Sequence, residues 1–575
     1  MKKTAFVLSL LCLSMVSIAK QSKTITIRFI ETSDVHGAFF PYNFTEQRPM
    51  KGTMARVSTY LKRQRKEYGN NLILLDNGDI LQGQPTCYYT NFVKTDAPNI
   101  AAEVINYLQY DAETFGNHDI EPGHAVYDKW VKEVKCPMLG ANIIDTKTGK
   151  PYATPYTIIE REGVRIAVLG MLTPAIPNWL SEDLWTGLHF EDMTKSARHW
   201  MKVLKEQERA DVIVGLFHSG WDGGIVTNEY EEDVAKKIAE VVEGFDVIFF
   251  GHDHTARSAN INGTLCLDPA NNAVNVAQAT ITLKIQDKKN RRIEILDKKG
   301  EIVDITGEAI DEEYVNHFQQ QINEVRQYVE RQIGTFATTI RSRDSFFGSA
   351  AFTDYIHALQ LEETHADISI TAPLTFNTSI NAGPVYMSDM FKLYRYENKI
   401  YTLRMTGEEV RKHLEMSYDL WVNTMKSADD HIMLLNKGAE GDEQRRGFKN
   451  LTFNFDSAAG IDYVVDVTKP NGQKVKILQF SDGRSFDEKA WYTVVMNSYR
   501  GNGGGELLTH GAGIPKDSIE GRIIYKSERD QRYYLTKKIE REGTVNAKAL
   551  NNWRFVPEEW TRPAIERDRK IIFGD

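Results

Sequence analysis

Carboxylate, imidazole and amide side chains gather in five short segments of the first half of this sequence: Asp34-Val35-His36, Gly78-Asp79, Gly116-Asn117-His118-Asp119, His218-Ser219 and Gly251-His252-Asp253-His254. Two residues apart at the end of a strand, Asp34 and His36 aim the same way, which suits a carboxylate and an imidazole gripping one cation. A glycine at the head of the third segment lets the chain turn sharply, so Asn117, His118 and Asp119 project into one small space. Alone, Gly116 to Asp119 reads as a polar turn whose Asn and Asp cap the next helix, Asp34-Val35-His36 as a turn, and a single His as a satisfied core residue. As a set they are hard to obtain by chance, because independent clusters recur at matching structural positions. Metal chemistry here has to use oxygen and nitrogen ligands, since no paired-cysteine spacing exists.

Those matching positions are strand ends. Thr24 to Thr32 alternates and then runs apolar before Ser33-Asp34, and Asn71 to Asp76 leads into Asn77-Gly78-Asp79. A helix-like run, Ala97 to Leu108, precedes a short strand from Ala112 to Phe115 and the Gly116 turn. Further strands are expected at Arg165 to Met171, Asp211 to Phe217 and Asp246 to Phe250, with a helix over Glu231 to Glu243 before the last. Open α/β sheets build their sites in this way, with polar groups at the carboxyl ends of strands that alternate with helices.

At 575 residues, 41% hydrophobic and 26% charged, the chain exceeds what one core usually supports, so two domains are expected. Lys2 and Lys3 stand before an apolar stretch from Ala5 to Ile18, with small Ser17 and Ala19 at its end, the pattern of a secretory signal and of an exported chain, periplasmic or extracellular. Leu11 ahead of Cys12 argues against a lipid anchor, and no later stretch is apolar and long enough to span a membrane. Without Lys2 and Lys3 the formal charge moves from -9 to -11, which argues against a nucleic acid polymer as the main partner and leaves small anions held by metals. Cys87, Cys136 and Cys266 remain, enough for one disulfide at most. Nothing in the sequence fixes the oligomeric state.

From Asp311 to Gln332 the character changes. Val315, Phe318, Ile322, Val325 and Val329 recur at alternating three and four, one apolar stripe that reads as a linker helix between unlike halves. The second half lacks histidine clusters and mixes helices at Phe352 to Leu361 and Gly407 to Ser417 with strands at Ala366 to Thr371, Asp462 to Val467 and Trp491 to Asn497. The expected plan is a signal at 1–19, a catalytic domain at 20–310, a linker at 311–341 and a substrate domain with its tail at 342–575.

The five segments, in their order, resemble the calcineurin-like dinuclear metallophosphoesterases, from about Ile25 into the 280s. The second half resembles the carboxyl-terminal substrate domain of exported 5′-nucleotidases and 2′,3′-cyclic-nucleotide phosphodiesterases, through Thr406-Gly407, Leu414-Glu415-Met416-Ser417 and the run Asn497 to Gly505. The resemblance implies an α/β metallophosphoesterase domain folded as a four-layer α/β/β/α sandwich, followed by an α+β nucleotidase domain. It implies that Asp34, His36, Asp79 and His254 hold one divalent metal ion, and Asp79, Asn117, His218 and His252 a second, of zinc, manganese or iron type. Asn117 also counts among the substrate contacts. Two such ions about 3.5 to 4 Å apart can polarise a phosphoester and make a hydroxide from water near neutral pH. His118, not a ligand, would face the phosphate and stabilise charge or protonate the leaving alkoxide. Exported nucleotidases read Gly-Asn-His-Glu-Phe-Asp where this chain has Asp119-Ile120-Glu121, so Glu121 either takes the place of the orienting Asp or caps the turn at Pro122.

In that family two aromatic rings sandwich the nucleobase, and the matching positions are Phe455 and Tyr499, with Phe453 two residues away as the alternative to the first. The 5′-nucleotidase pattern has Asn-Gly-Gly and a following Arg where this chain has Ala372-Pro373-Leu374-Thr375-Phe376-Asn377, and an Asp facing the ribose where it has Gly505. Ala-Pro, the segment Tyr394 to Asn398 and the Asn497-Ser498-Tyr499-Arg500 loop look more like the cyclic-phosphodiesterase/3′-nucleotidase branch. The expectation is a hydrolase acting on nucleotides or cyclic nucleotides. A 5′-nucleotidase or broad sugar-phosphate phosphatase is the alternative among enzymes, and a catalytically inactive nucleotide receptor the alternative outside them. His118 beside Asn117 argues against the receptor.

Overall fold

The computed structural model describes residues 22–287, 292–436 and 447–574, so the signal-like segment from Met1 to Ala19 lies outside the described residues. Two six-stranded sheets make up the first half. In one, Lys23–Thr32, Leu72–Asp76, Ala112–Thr114 and Met138–Leu139 run parallel, and the hairpin of Asn275–Asp287 with Arg292–Asp304 closes the other edge. In the other, Val164–Leu172, Val212–His218, Val247–Phe250 and Thr264–Asp268 run parallel between antiparallel edges, Tyr156–Arg161 and Arg257–Ile261.

Alternation along the strands sets the layers. Ile27, Phe29, Ile73 and Leu75 meet Val168, Val214, Leu216 and Phe249 in a core between the sheets. Ile30 and Leu74 face outward under Val57, Leu61, Val104 and Trp130 of the helices Met54–Tyr68, Ile100–Leu108 and His124–Glu133. On the opposite side Leu169, Ile213 and Ile248 lie under Ala197, Leu204 and Ile238 of Met193–Glu206 and Ala235–Val241. Strands buried on both faces read as near-continuous apolar runs, which is why their sequence signal is strong. The four-layer α/β/β/α sandwich forms as expected. Register then levels the carboxyl ends: Thr32 sits beside Asp76 and Asp76 beside Glu113 in one sheet, and Leu172 beside His218 in the other.

Two local expectations fail. Glu231 to Glu243 is not one helix: Gly223–Val226 and Glu231–Asp233 pair as a hairpin, and the helix is confined to Ala235–Val241. The carboxylates decide this, because Glu232 accepts the Ile225 N–H at 2.6 Å and Asp233 the Gly220 N–H at 2.8 Å, satisfying a loop instead of a helical turn. The linker stripe is likewise broken at Phe318 (φ -96°, ψ 14°) into Glu312–His317 and Gln319–Val329. Tyr314, not Val315, takes the first buried position, and the stripe packs onto the first half beside Phe40 and Leu61.

The second half is α+β. A five-stranded sheet runs in the order Ser457–Ala459, Ile368–Thr371, Trp491–Asn497, Lys399–Thr406, Ile523–Asp530, with Ala351–Thr364, Gly407–Trp421 and Gln531–Glu542 packed around it. Gly407–Trp421 starts where the sequence says it should: Thr406 Oγ1 accepts the Glu409 N–H at 3.2 Å, and Glu409 Oε2 accepts the Thr406 N–H at 2.8 Å. The halves meet directly. Tyr88 of the first is buried against Phe391 and Arg532 of the second and donates its hydroxyl to Asp530 at 2.8 Å. Cys87, Cys136 and Cys266 are all free thiols. Among the described residues no helix is long and apolar enough to cross a membrane.

Candidate metal centre

Loops at the levelled strand ends are packed backbone against backbone. A Cβ on Gly116 would lie 2.1 Å from Asp79 Oδ1, so only glycine lets the two loops close on each other. Asp119 clamps them. Its carboxylate accepts the N–H groups of Asp79 (2.7 Å), Ile80 (2.9 Å), Leu81 (2.8 Å) and Gly116 (2.7 Å). Sequence reading gave Asp119 no such task, because an anion that gathers backbone donors leaves no mark on the donors' side chains. The loops also carry strain: Asp34, His36, Asp79, His252 and His254 all have left-handed backbones, with φ of 51°, 48°, 56°, 73° and 55°.

Side chains from both sheets converge above these loops. Donor atoms of Asp34, His36, Asp79 and His254 all lie within 4.8 Å of one another, as do those of Asp79, His218 and His252. His254 Nε2 lies 3.1 Å from His36 Nε2 and 3.2 Å from Asp34 Oδ1, and His218 Nε2 is 3.3 Å from Asp79 Oδ2 and 3.1 Å from Asn117 Oδ1. All seven residues read as ligands are therefore brought together, with Asp79 common to both groups. The donors fit divalent cations. The set is carboxylate, imidazole and amide oxygen, Asp34 Oδ1 is buried with the His254 ring nitrogen as its neighbour at 3.2 Å, and burial together with His254 pushes His36 down to about 3, keeping a lone pair free. Burial opposes charge on Asp34 as well, yet His218 and His254 outweigh it and hold that carboxyl well below its usual range.

His118 stands beside these groups and belongs to neither. Its N–H donates to Asp79 Oδ1 at 2.8 Å and its Nδ1 lies 2.6 Å from Glu121 Oε2, so Glu121 is placed on the imidazole and not on the turn at Pro122. Burial alone would lower this imidazole; Asp79 and Glu121 reverse that and lift it to about 9.

The aromatic pair needs a correction. Phe455 is fully buried, stacked on Trp421 with centroids 5.3 Å apart and planes 4° from parallel, and set edge-on to Phe448 at 5.2 Å. It is a core residue and has no face to offer a base. The 3₁₀ turn Thr452–Asn454 sends Phe453 the other way, half-buried, with its centroid 5.9 Å from that of Tyr499. Arg500, also unforeseen, ties the two segments: it pairs with Asp456 at 2.8 Å and donates to the Phe453 carbonyl at 2.8 Å. Phe455→Ala should therefore cost stability, about 3 to 5 kcal/mol for an emptied aromatic core site, read as a lowered melting temperature.

Residues 27–256 match the calcineurin-like phosphoesterase family, and residues 332–510 the 5′-nucleotidase C-terminal domain. The 2′,3′-cyclic-nucleotide 2′-phosphodiesterase/3′-nucleotidase of Haemophilus influenzae is 26% identical, over 94% of this chain and 89% of its own. The trifunctional nucleotide phosphoesterase protein YfkN of Bacillus subtilis is 27% identical over 94% of this chain, which spans only 39% of YfkN's length. Protein UshA of Escherichia coli is 24% identical over 77% of this chain and 87% of its own. Among solved structures, a putative 5′-nucleotidase from Staphylococcus aureus superposes with a TM-score of 0.77 at 20% identity, covering 92% of this chain and 99% of that one. With both halves matched in this order, the chain belongs to the calcineurin-like phosphoesterases that carry a 5′-nucleotidase C-terminal domain.

Proposed function

We propose that this chain is an exported enzyme that opens 2′,3′-cyclic nucleotides and removes 3′-phosphates, using two divalent cations of zinc, manganese or iron type. Kinship supports the broader class, a nucleotide phosphoester hydrolase. The observation that carries the two-cation reading is the pair of donor groups sharing Asp79. Asp34, His36, Asp79 and His254 would hold one cation, and Asp79, Asn117, His218 and His252 the other. Bound there, the cations supply Lewis-acid polarisation of the phosphate and a lowered pKa for water. The chain's own residues do the rest. With Nδ1 held by Glu121, His118 keeps Nε2 for the leaving oxygen, and Asn117 adds an amide beside it. Tyr499 would stack the base, with Phe453 in place of Phe455 as the neighbouring aromatic, set edge-on to it with planes 84° apart. Export rests on the pattern from Met1 to Ala19.

Gly505 supports the cyclic branch. Its φ is 67°, a left-handed backbone that favours glycine, and a Cβ there would meet Asn454 Oδ1 at 2.0 Å and Arg500 Nη1 at 2.4 Å, so the ribose-facing Asp of the 5′-nucleotidase pattern would require both side chains to move. Initial rates compared in one assay should rank 2′,3′-cyclic AMP and 3′-AMP above 5′-AMP, and a preference for 5′-AMP would move the chain to the other branch. For the clamp, Tyr499→Ala should raise KM for nucleotides about tenfold per 1.4 kcal/mol of stacking lost, from a contribution of about 1 to 3 kcal/mol. Turnover of p-nitrophenyl phosphate should barely change. Equal losses on both substrates would make Tyr499 a core residue instead.

A further inference from the structure

Three histidines of the centre are oriented through Nδ1. His218 Nδ1 lies 2.7 Å from the Asn77 carbonyl oxygen, His36 Nδ1 lies 3.3 Å from the Gln82 carbonyl oxygen, and His254 Nδ1 lies 3.1 Å from Asn271 Nδ2, an amide nitrogen. Each therefore turns Nε2 toward the converging donors. His252 is inverted: its Nε2 lies 3.0 Å from Glu232 Oε1, which leaves Nδ1 as the ring nitrogen open to a cation.

Its partner also differs in kind. A carboxylate accepting an imidazole N–H makes the ring more basic, and so a stronger ligand, than a neutral carbonyl does. Glu232 is itself held fast. Its side chain is 12% exposed, Oε2 accepts the Ile225 N–H at 2.6 Å, and its main-chain carbonyl accepts hydroxyls from Ser219 (2.8 Å) and Thr173 (3.2 Å). Ser219 directly follows His218, so the hairpin is fastened to the same strand end that delivers another member of the centre. The His252 main-chain N–H donates to Asp34 Oδ2 at 3.1 Å, and Trp179 lies by the ring with centroids 5.6 Å apart.

We infer that Glu232, through its contact with Nε2, is the positioning residue that makes His252 a ligand through Nδ1, so that the 223–233 hairpin tunes one of the two cation sites. This rests on the two-cation reading of the seven residues. The test is calorimetric titration of the metal-stripped protein with Mn²⁺. Wild type should take up two ions; if it does not, the two-cation reading itself fails. If it does, Glu232→Gln should weaken one binding step by about 10- to 100-fold and leave the other unchanged, the usual range for losing the outer partner of a ligating histidine. Its metal-free melting temperature should match that of wild type. Asp233→Asn, which alters charge on the same hairpin at 4.0 Å from His252, should bind both ions normally. Two unchanged steps in Glu232→Gln, a comparable loss in Asp233→Asn, or early melting of the metal-free Glu232→Gln protein would each overturn the assignment.

Discussion

Asp79→Asn is expected to empty both cation sites and to lower kcat/KM by about 10³-fold or more. Asp79 is the one residue common to both donor groups, and each cation contributes several kcal/mol, with 1.36 kcal/mol worth a factor of ten in rate. Asn tolerates the left-handed backbone that Asp79 adopts, with φ of 56°, so the substitution removes charge and leaves the loop standing. Elemental analysis of the purified variant reads the result. His254→Ala, which belongs to one group alone, should empty mainly one site, and two ions retained in Asp79→Asn would end the bridging assignment.

His118→Asn should separate chemistry from binding. Its imidazole sits outside both donor groups, so the variant should keep both cations and near-normal KM while kcat falls by about 10²- to 10⁴-fold, the range for losing a general acid or a charge-stabilising group. The partition matters more than the size of the loss. Metal released on substitution would make His118 a ligand, and a rise in KM at constant kcat would make it a binding residue.

The sandwich and the seven converging side chains could be read ahead of the structure because both signals are local. Strands buried on two faces show as apolar runs, and each delivers its Asp, Asn or His within a few residues of its end, from Asp34 to His254. Asp119 and Glu232 stayed hidden for the opposite reason. Apart from the Gly116 N–H, the groups they organise are main-chain N–H donors and a ring nitrogen 20 or more residues distant in sequence, at Asp79 to Leu81 and at His252. Phe453 and Phe455 could not be told apart because a 3₁₀ turn, unlike a strand, does not send residues two apart to the same side. The break at Phe318 was invisible to periodicity, since Tyr314 and Val315 both satisfy an apolar stripe and only packing chose between them.

The left-handed backbones at Asp34, His36, Asp79, His252 and His254 bear on how such a sequence can change over time. Asp, Asn and His are several-fold enriched in that conformation, while β-branched residues are genuine outliers there. Each of these letters thus answers to two demands at once, the donor atom and the dihedral angle. A descendant that had lost its cations and its activity would still be penalised for Val, Ile or Thr at these positions, and would drift mainly among Asp, Asn, His and Gly. A nearly intact motif in a diverged copy is therefore a record of loop geometry as well as of catalysis, and bound metal is the better witness to the second.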